Sequence, residues 1–365
     1  MIKYFCLIKS YVLPNRIKRT ATVIVVLSTR RFTMKIHKNE VNTKQGDIVC
    51  SRSELDLGIT LKGGQSFRWF AHENGYRGIF DGCVWTLVQN DTHLSYIVQG
   101  ALEDSKNYND ILSRYFRLDM SLADLCEKWA AVDEHFQKSL DKTNGVRILN
   151  QDVVETVFSF ICSSNNNIKR ISLMVEQLCS LFGKKICSIE DKDYYSFPAI
   201  EALAGENVEK NLREAKFGYR AGYIPKAAKA LMELGGKEWL LSLHKDNNVL
   251  YAEAKEQLIT LDGVGPKIAD CVCLMALGHL EAVPVDTHIS QIAKENYLPH
   301  LKKEKKVNHK EIGNYLCELW GPYAGWAQAV VFCAKINTNG GTTTAPKTKR
   351  KGNEKKIVTR KKNCT

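Results

Sequence analysis

The spacing of apolar residues changes once along the chain, and that change divides it. Between Leu55 and Gly100 they fall in short runs, Ser66 to Ala71, Tyr76 to Phe80, Val84 to Val88 and Leu94 to Val98. Glu73-Asn74-Gly75, Asp81-Gly82 and Asn90-Asp91-Thr92 separate the runs, which predicts an antiparallel meander. Gly63-Gly64 would open its first strand as a bulge or turn. From Asp104 the period becomes helical, with Leu122, Leu125, Trp129, Val153, Val157, Phe160 and Ile161 as expected core positions. Ser163-Ser164-Asn165-Asn166-Asn167 then breaks two helices, as short polar side chains that compete for backbone hydrogen bonds do. Residues 224–260 read as two more helices around Gly235-Gly236, His300 to Lys310 as a charged connector, and Ile312 to Ile336 as a final helix pair. The fold class is therefore α+β: a small N-terminal antiparallel β-rich domain followed by a mainly helical region. The expected divisions are a basic leader at 1–45, disordered or targeting, the α+β domain at 46–130, the helical region at 131–336, and a disordered basic tail at 337–365.

Within the helical region one stretch carries candidate chemistry. Tyr251 to Leu261 is rich in helix formers, and Gly263-Val264-Gly265 then permits a tight hairpin. Pro266 suits the first turn of a new helix, and Ile268 to Leu277 is almost wholly apolar, so this second helix of a helix-hairpin-helix at 251–277 should be buried. The N–H groups of Gly263 and Gly265 beside a helix N-terminus would cradle an anion, most often a phosphate, although such hairpins also serve as plain turns. Lys267 stands in the first turn. Burial and the positive end of the helix dipole both disfavour an ammonium there, which makes its amine a candidate nucleophile near neutral pH. Asp286 follows Val283-Pro284-Val285 and precedes Thr287-His288-Ile289, which suits an N-cap. The same residues also fit a snorkelling surface lysine and a plain cap.

Composition narrows the picture. With 365 residues and 44% apolar content the chain can bury one or two globular cores. Its net charge of +12 is concentrated at the ends: residues 1–39 carry +9 and residues 347–365 carry +8, which leaves −5 for everything between. Any surface for nucleic acid on the core must then be a local patch. Twelve cysteines lie scattered, several in apolar helical runs, which fits reduced thiols better than a disulfide framework. Cys271-Val272-Cys273 is too close for a zinc pair. The acid-free leader contains the apolar run Ala21 to Leu27, too short to span a bilayer. A mitochondrial presequence, a secretory signal and an upstream extension before Met34 all fit it. Pro346-Lys347-Thr348-Lys349-Arg350-Lys351 fits a nuclear-import signal or a weak DNA tether.

The hairpin with its Gly/Pro loop and Asp resembles the motif of helix-hairpin-helix base-excision DNA glycosylases. Val264 to Leu277 closely resembles the eukaryotic 8-oxoguanine DNA glycosylase family. The resemblance continues in Gly64-Gln65-Ser66-Phe67-Arg68-Trp69, in Phe158 to Ile168, in Phe217-Gly218-Tyr219-Arg220-Ala221 and in Trp320 to Ala329, so it spans roughly residues 50 to 336 in family order. It implies a bifunctional glycosylase and lyase that excises 8-oxoguanine opposite cytosine, with Lys267 as the imine-forming nucleophile and Asp286 stabilising the cationic sugar. It further implies that the Gly64 carbonyl reads the damaged base, that Cys271 packs against it, and that Gln328 and Phe332 bind its edge and face. Asn165 would fill the vacated space, Arg170 and Arg220 would contact the orphaned cytosine, Tyr219 would wedge the stack, and His288 would meet a phosphate.

No cofactor is required by this reading. The four-cysteine iron–sulfur loop of relatives such as endonuclease III is missing from the sequence, and no cluster is expected. The carbonyls of Ile259, Leu261 and Val264 are a candidate seat for a structural monovalent cation. Double-stranded DNA containing oxidised guanine and the downstream base-excision repair enzymes are the expected partners, with no membrane and a monomeric protein. The expected location is the nucleus, with the mitochondrion as a second site. Two other readings compete: a glycosylase for alkylated bases, in which Asp activates water and no lysine is needed, and a non-catalytic DNA-gripping module, which has no use for Gln328 and Phe332 in a pocket.

Overall fold

The structure, a computed structural model, describes residues 20–27, 30–37, 42–304 and 308–338. Its five-stranded antiparallel sheet has the spatial order Thr43–Val49, His93–Gly100, Cys83–Gln89, Gly75–Phe80, Trp69–His72. Trp85 and Leu87 from the middle strand, both fully buried, pack with Leu55, Leu57, Tyr108, Leu112, Tyr115 and Phe116 into the smaller core. The meander expected from the turn residues is there, with two differences. Thr43–Val49 is an additional edge strand; its sequence TKQGDIV is mostly polar, so no apolar alternation marks it. Gly46 faces Tyr96 in register, and a Cβ at Gly46 would lie 2.5 Å from the Tyr96 hydroxyl oxygen, so only glycine lets this edge close. The first expected strand, in turn, begins only at Trp69. Gly63-Gly64 does not open it; these glycines follow a short helix, Leu57–Lys62, that Asp56 caps through the Ile59 N–H. Residues 63–68 form a bend, and buried Gln65 holds it by donating to the Arg147 carbonyl at 2.7 Å and accepting from the Leu149 N–H at 3.0 Å.

Within the leader, Thr20–Leu27 and Arg30–His37 pair as a separate antiparallel ladder, which replaces the disorder expected there. A second hairpin, Lys185–Ile189 with Lys192–Tyr195, also has no counterpart in the sequence reading. Its turn residues Glu190 and Asp191 both take positive φ, the requirement of a type I′ turn met without glycine. The basic tail from residue 339 lies outside the described residues.

The larger core is helical and surrounds Pro266–Ala276, whose residues from Ile268 to Ala276 are all buried. Val153–Ser163, capped by Asp152 and equally apolar, packs along it. Leu122–Val132 joins this core and not the sheet domain to which the sequence division assigned it, because Leu122, Leu125, Cys126 and Trp129 all face inward here. Ala324–Thr338 closes the opposite side: Gly325 donates to the Leu280 carbonyl at 3.0 Å, and a Cβ there would lie 2.1 Å from the Ala282 carbonyl oxygen.

One buried ion pair fastens the two cores. Arg147, 1% exposed, donates to the carbonyls of Glu54 and Arg117 at 2.5 Å and of Met120 at 3.0 Å, and pairs with the Glu54 carboxylate. Its guanidinium also lies 5.7 Å from the ring centre of Trp326, on the helix that carries Gln328. Glu54 is used twice, since its other bonds accept the N–H groups of Leu122 at 2.9 Å and Ala123 at 3.1 Å and so cap that helix. Removing one member leaves the other charge buried without its partner. Arg147→Ala should lower the unfolding free energy by about 3–5 kcal/mol, read from urea denaturation, whereas exposed Lys138→Ala should change it by less than about 0.5 kcal/mol.

Candidate active site

The hairpin between Tyr251–Ile259 and Pro266–Ala276 is shaped by one glycine. Gly263 has φ +82°, and a Cβ there would stand 2.8 Å from the Cβ of Tyr223. Gly265 is different. Its φ of −93° suits any residue, and the space in front of it is open for at least 4 Å, so the sequence-based demand for special backbone angles holds at Gly263 alone. What Gly265 contributes is its missing side chain. As N-cap it makes no side-chain hydrogen bond, so the first N–H groups of an 11-residue helix stay uncapped beside open space, a seat for an anionic oxygen.

Lys267 follows in that first turn and is half-buried. Its Nζ lies 5.2 Å from the ring centre of Phe160, which in turn packs edge-on against Phe67 at 5.5 Å. Cys271, one turn along the helix, is hydrogen-bonded to Lys267. Burial pushes its thiol up to about 11 although Lys267 acts in the opposite direction, so the sulfur is protonated at neutral pH and faces the amine as a dipole. Asp286 is felt at the same thiol. It is also the N-cap of Thr287–Ile292, with one carboxylate oxygen accepting from the Ile289 N–H at 2.8 Å. The cap reading is therefore correct as far as it goes; the cap fixes the carboxylate and leaves its second oxygen for other work.

The remaining base-recognition candidates come from two other elements. Gly64, φ +78°, sits at the bend after Leu57–Lys62, with Ile168 Cδ1 3.4 Å from where a Cβ would be. Its neighbour Gly63 abuts Cys333, whose Sγ would be 3.2 Å from a built Cβ, and this seats the bend on Ala324–Thr338 beside Phe332. The ring of Phe332 meets that of His288 edge-on at 5.9 Å. Gln328, one turn earlier on the same helix, is 6% exposed.

The remaining candidates form a ridge beside this group. Exposed Asn165 has φ +46° and leads, through the N-cap Asn167, into Ile168–Phe182. Arg170 is exposed and donates to the Lys216 carbonyl at 3.3 Å. Tyr219, 48% exposed, donates to the Ser164 carbonyl at 2.9 Å and carries the Arg220 guanidinium at 4.5 Å over its ring. Arg220 itself is buried, donating to the carbonyls of Ser164 and, at 3.1 Å, Asn165, with its Nε left unpaired. Tyr219 also packs edge-on against Tyr223, the residue under Gly263, so ridge and hairpin are continuous. Sequence reasoning missed Tyr223, Ile168 and the role of Phe160 as the floor below Lys267. The four-residue spacing of Tyr219 and Tyr223 was the available signal for the first, since such pairs share a helix face.

A half-buried lysine amine, a fixed carboxylate, an uncapped helix N-terminus and an exposed aromatic beside arginines make a surface suited to a phosphate-bearing substrate. Residues 158–315 match the family model for HhH-GPD superfamily base excision DNA repair proteins, and residues 47–157 match that for the N-terminal domain of 8-oxoguanine DNA glycosylase. The chain is 39% identical to an N-glycosylase/DNA lyase of Saccharomyces cerevisiae, with 84% of this chain and 91% of that protein covered. It is 37% identical to the N-glycosylase/DNA lyase OGG1 of Arabidopsis thaliana, with 83% of each covered. The Clostridium acetobutylicum 8-oxoguanine glycosylase/lyase, solved with double-stranded DNA containing cytosine opposite 8-oxoguanine, superposes with a TM-score of 0.71 at 27% identity, over 82% of this chain and 99% of that one. The chain belongs to the 8-oxoguanine DNA glycosylase family.

The two hairpin glycines should separate in a thermal melt. Gly263→Ala meets both a forbidden φ and the Tyr223 side chain and should lower Tm by several degrees, for a cost of about 1–3 kcal/mol, while Gly265→Ala should leave Tm within error of the parent.

Proposed function

We propose that this protein excises 8-oxoguanine paired with cytosine from duplex DNA and then cleaves the strand, with Lys267 as nucleophile. The observation that carries this reading is the setting of Lys267: its amine lies over Phe160, beside a neutral Cys271 thiol and near a carboxylate that a helix cap already holds. A base inside the stack cannot be reached by any side chain, so the nucleotide is rotated out and the kinked duplex is held by the ridge. Gly265 and the free N–H groups after it take a backbone phosphate; His288, exposed at the start of its helix, takes another. Tyr219 and Asn165 occupy the gap. Arg170 and Arg220 address the cytosine left behind.

Guanine and its oxidised form differ little in shape but oppositely at N7, where the lesion has an N–H and guanine a lone pair. The Gly64 carbonyl accepts from the first and is repelled by the second. The half of the pocket on Ala324–Thr338 supplies the rest, the Gln328 amide meeting the base edge and Phe332 its face. The neutral Lys267 amine then attacks C1′, and the glycosidic bond breaks with its electron pair passing to the base, which takes up a proton. Asp286 stabilises the positive charge that develops on the sugar. The attached nitrogen loses its proton, the ring oxygen leaves C1′ and is protonated, and an imine remains. That imine acidifies C2′; loss of a C2′ proton expels the 3′ phosphate and cuts the strand.

The donor set proposed for a monovalent cation, the carbonyls of Ile259, Leu261 and Val264, is made of hard oxygens at the end of a helix, where carbonyls lack intrahelical partners. Leu261 already accepts the Val264 N–H at 3.0 Å, which leaves it one lone pair to offer. Such an ion would add positive charge beside the phosphate seat. Action as a monomer, hand-over to downstream repair enzymes, and location in nucleus and mitochondrion belong to the same proposal. Among the described residues no helix is long and apolar enough to cross a membrane.

Borohydride trapping on a duplex with 8-oxoguanine opposite cytosine tests the central step. Lys267→Gln should abolish both the trapped adduct and base release while leaving lesion-DNA affinity within about threefold; equal loss of binding would make Lys267 a structural residue. Asp286→Asn should slow single-turnover base release by at least about tenfold with a smaller change in affinity. A second measurement concerns recognition. Gly64→Ala brings little collision, since Ile168 stands at ordinary contact, but it places a side chain at φ +78°, a strain of about 1–2 kcal/mol that the bend relieves by moving its carbonyl. Release of 8-oxoguanine should fall sharply against the parent. Faster excision of alkylated purines than of 8-oxoguanine by the parent protein would refute the substrate assignment while leaving the lysine chemistry standing.

A further inference from the structure

One turn along the helix from Lys267 stands a carboxylate that the chemistry above does not use. Asp270 is 5% exposed; it accepts from the Tyr251 hydroxyl at 2.5 Å and pairs with the Lys255 ammonium at 2.7 Å. Lys255 also donates to the Tyr251 oxygen at 3.2 Å and lies over its ring at 5.4 Å. Tyr251 and Lys255 both come from the first helix of the hairpin, Asp270 from the second, so this closed triangle joins the two helices beneath Lys267.

Residues three apart on a helix are neighbours, and a buried carboxylate three positions after a lysine is placed to hold that lysine as an ammonium. The charges of Lys267 and Asp270 do act on one another here. An ammonium is no nucleophile. We propose that Lys255 is a positioning residue for the chemistry of Lys267: by engaging Asp270 from the neighbouring helix, it denies Lys267 an ion-pair partner that would keep it protonated. The inference rests on the reading of Lys267 as the nucleophile and adds the device that frees its amine.

Other groups face this helix from each of its neighbouring elements. From the first hairpin helix come Lys255 and Tyr251; from the loop after the buried helix come Glu281 and Asp286, the former paired with Lys245 at 3.0 Å. From His309–Trp320 comes Cys317, whose thiol burial pushes up to about 11, and from the helix itself Cys271 and Cys273, both likewise raised by burial. Val153–Ser163 offers Lys267 only the Phe160 ring. Burial raises the Asp270 carboxyl, while Lys255, Tyr251 and then Lys267 oppose that rise, with Lys255 the largest of the three. Removing Lys255 therefore acts on Lys267 twice in the same sense: a nearby positive charge disappears, and the Asp270 charge is left for Lys267.

The test follows the rate of borohydride-trappable imine formation on a duplex carrying an abasic site, which needs no base release, as a function of pH and under single-turnover conditions. The acid limb of that profile reports the fraction of neutral amine. Lys255→Met should move the limb to higher pH by about half a unit or more, Lys255→Arg should leave it near the parent, and Asp270→Asn should move it to lower pH. The double variant Lys255→Met/Asp270→Asn should return toward the parent. Thermal melts identify any variant that fails to fold, and the Asp270→Asn and double variants decide the matter if Lys255→Met is that variant. A folded Lys255→Met or Asp270→Asn protein with an unmoved limb, or with shifts in the opposite sense, overturns the proposal. No trapped adduct from the parent protein would instead overturn the assignment of Lys267 itself.

Discussion

The burial of Pro266–Ala276 is the constraint from which the rest of the site follows. Every residue from Ile268 to Ala276 is inside, so the helix has no freedom to rotate or slide without exposing apolar surface on one side and crowding neighbours on the other. Its N-terminus is thereby fixed at the surface, with an uncapped end and a lysine in the first turn. Three neighbours hold it there by close approach as much as by apolar contact: Tyr223 under Gly263, the Gln151 N–H on the Met275 carbonyl at 2.8 Å, and Gly325 against the Leu274 side chain. The Gln151 side chain then donates at 2.9 Å to the carbonyl of Gln65, the residue after Gly64. A single segment thus ties the C-terminal end of this helix to the bend at Gly64, so that a shift of one is passed to the other.

The electrostatics of the site are local, as the charge distribution requires. The region between the two basic ends carries −5, and its buried or half-buried acidic groups include several that are committed to a partner: Glu54 to Arg147, Glu155 to Arg68 at 3.3 Å, Asp270 to Lys255, Glu281 to Lys245. What faces outward around the hairpin is a helix end, glycine N–H groups, Arg170 and His288, with the exposed carboxylate of Asp262 at the edge of the group. A phosphate backbone meets a stripe of donors there, and the committed carboxylates add little repulsion beyond a Debye length.

How much of this the sequence shows depends on whether the signal is local. The hairpin, the buried helix and the Asp286 cap were readable because Gly, Pro, Asp and an unbroken apolar run each restrict the backbone at their own position. So was the meander, from its turn residues. Thr43–Val49 was not, because a polar edge strand is specified by its partner: Gly46 makes sense only opposite Tyr96. The hairpin at 185–195 turns on Glu190 and Asp191 with no glycine or proline to mark it, and its place is set by Ile189 and Tyr194 packing on Ile79 and Val84 of the sheet. At the site the same division holds. Lys267 and Asp286 could be picked from spacing, and the others came through family resemblance, since nothing near Gly64 or Gln328 in sequence shows that a bend from one domain rests on a helix from the far end of the chain. Lys255, Tyr251 and Asp270 gave no signal at all; each is an ordinary helix residue until the three side chains are seen together.

The packing of Arg220 has an energetic consequence for how the strand opposite a lesion is judged. In the free protein its guanidinium already serves the Ser164 and Asn165 carbonyls, so any bond it makes to a nucleobase that draws on the same N–H groups is an exchange of partners, not a gain. The net benefit is the small difference between two hydrogen-bonded states, plus whatever the unpaired Nε acquires. A base that offers acceptors in the right places completes the exchange at little cost. One that does not leaves two main-chain carbonyls stranded if the arginine turns toward it, and the arginine stays where it is. On the proposed contact with the orphaned base, the residue behaves as a latch whose release is conditional on that base, and a duplex with a different base opposite the lesion meets a surface that has not opened.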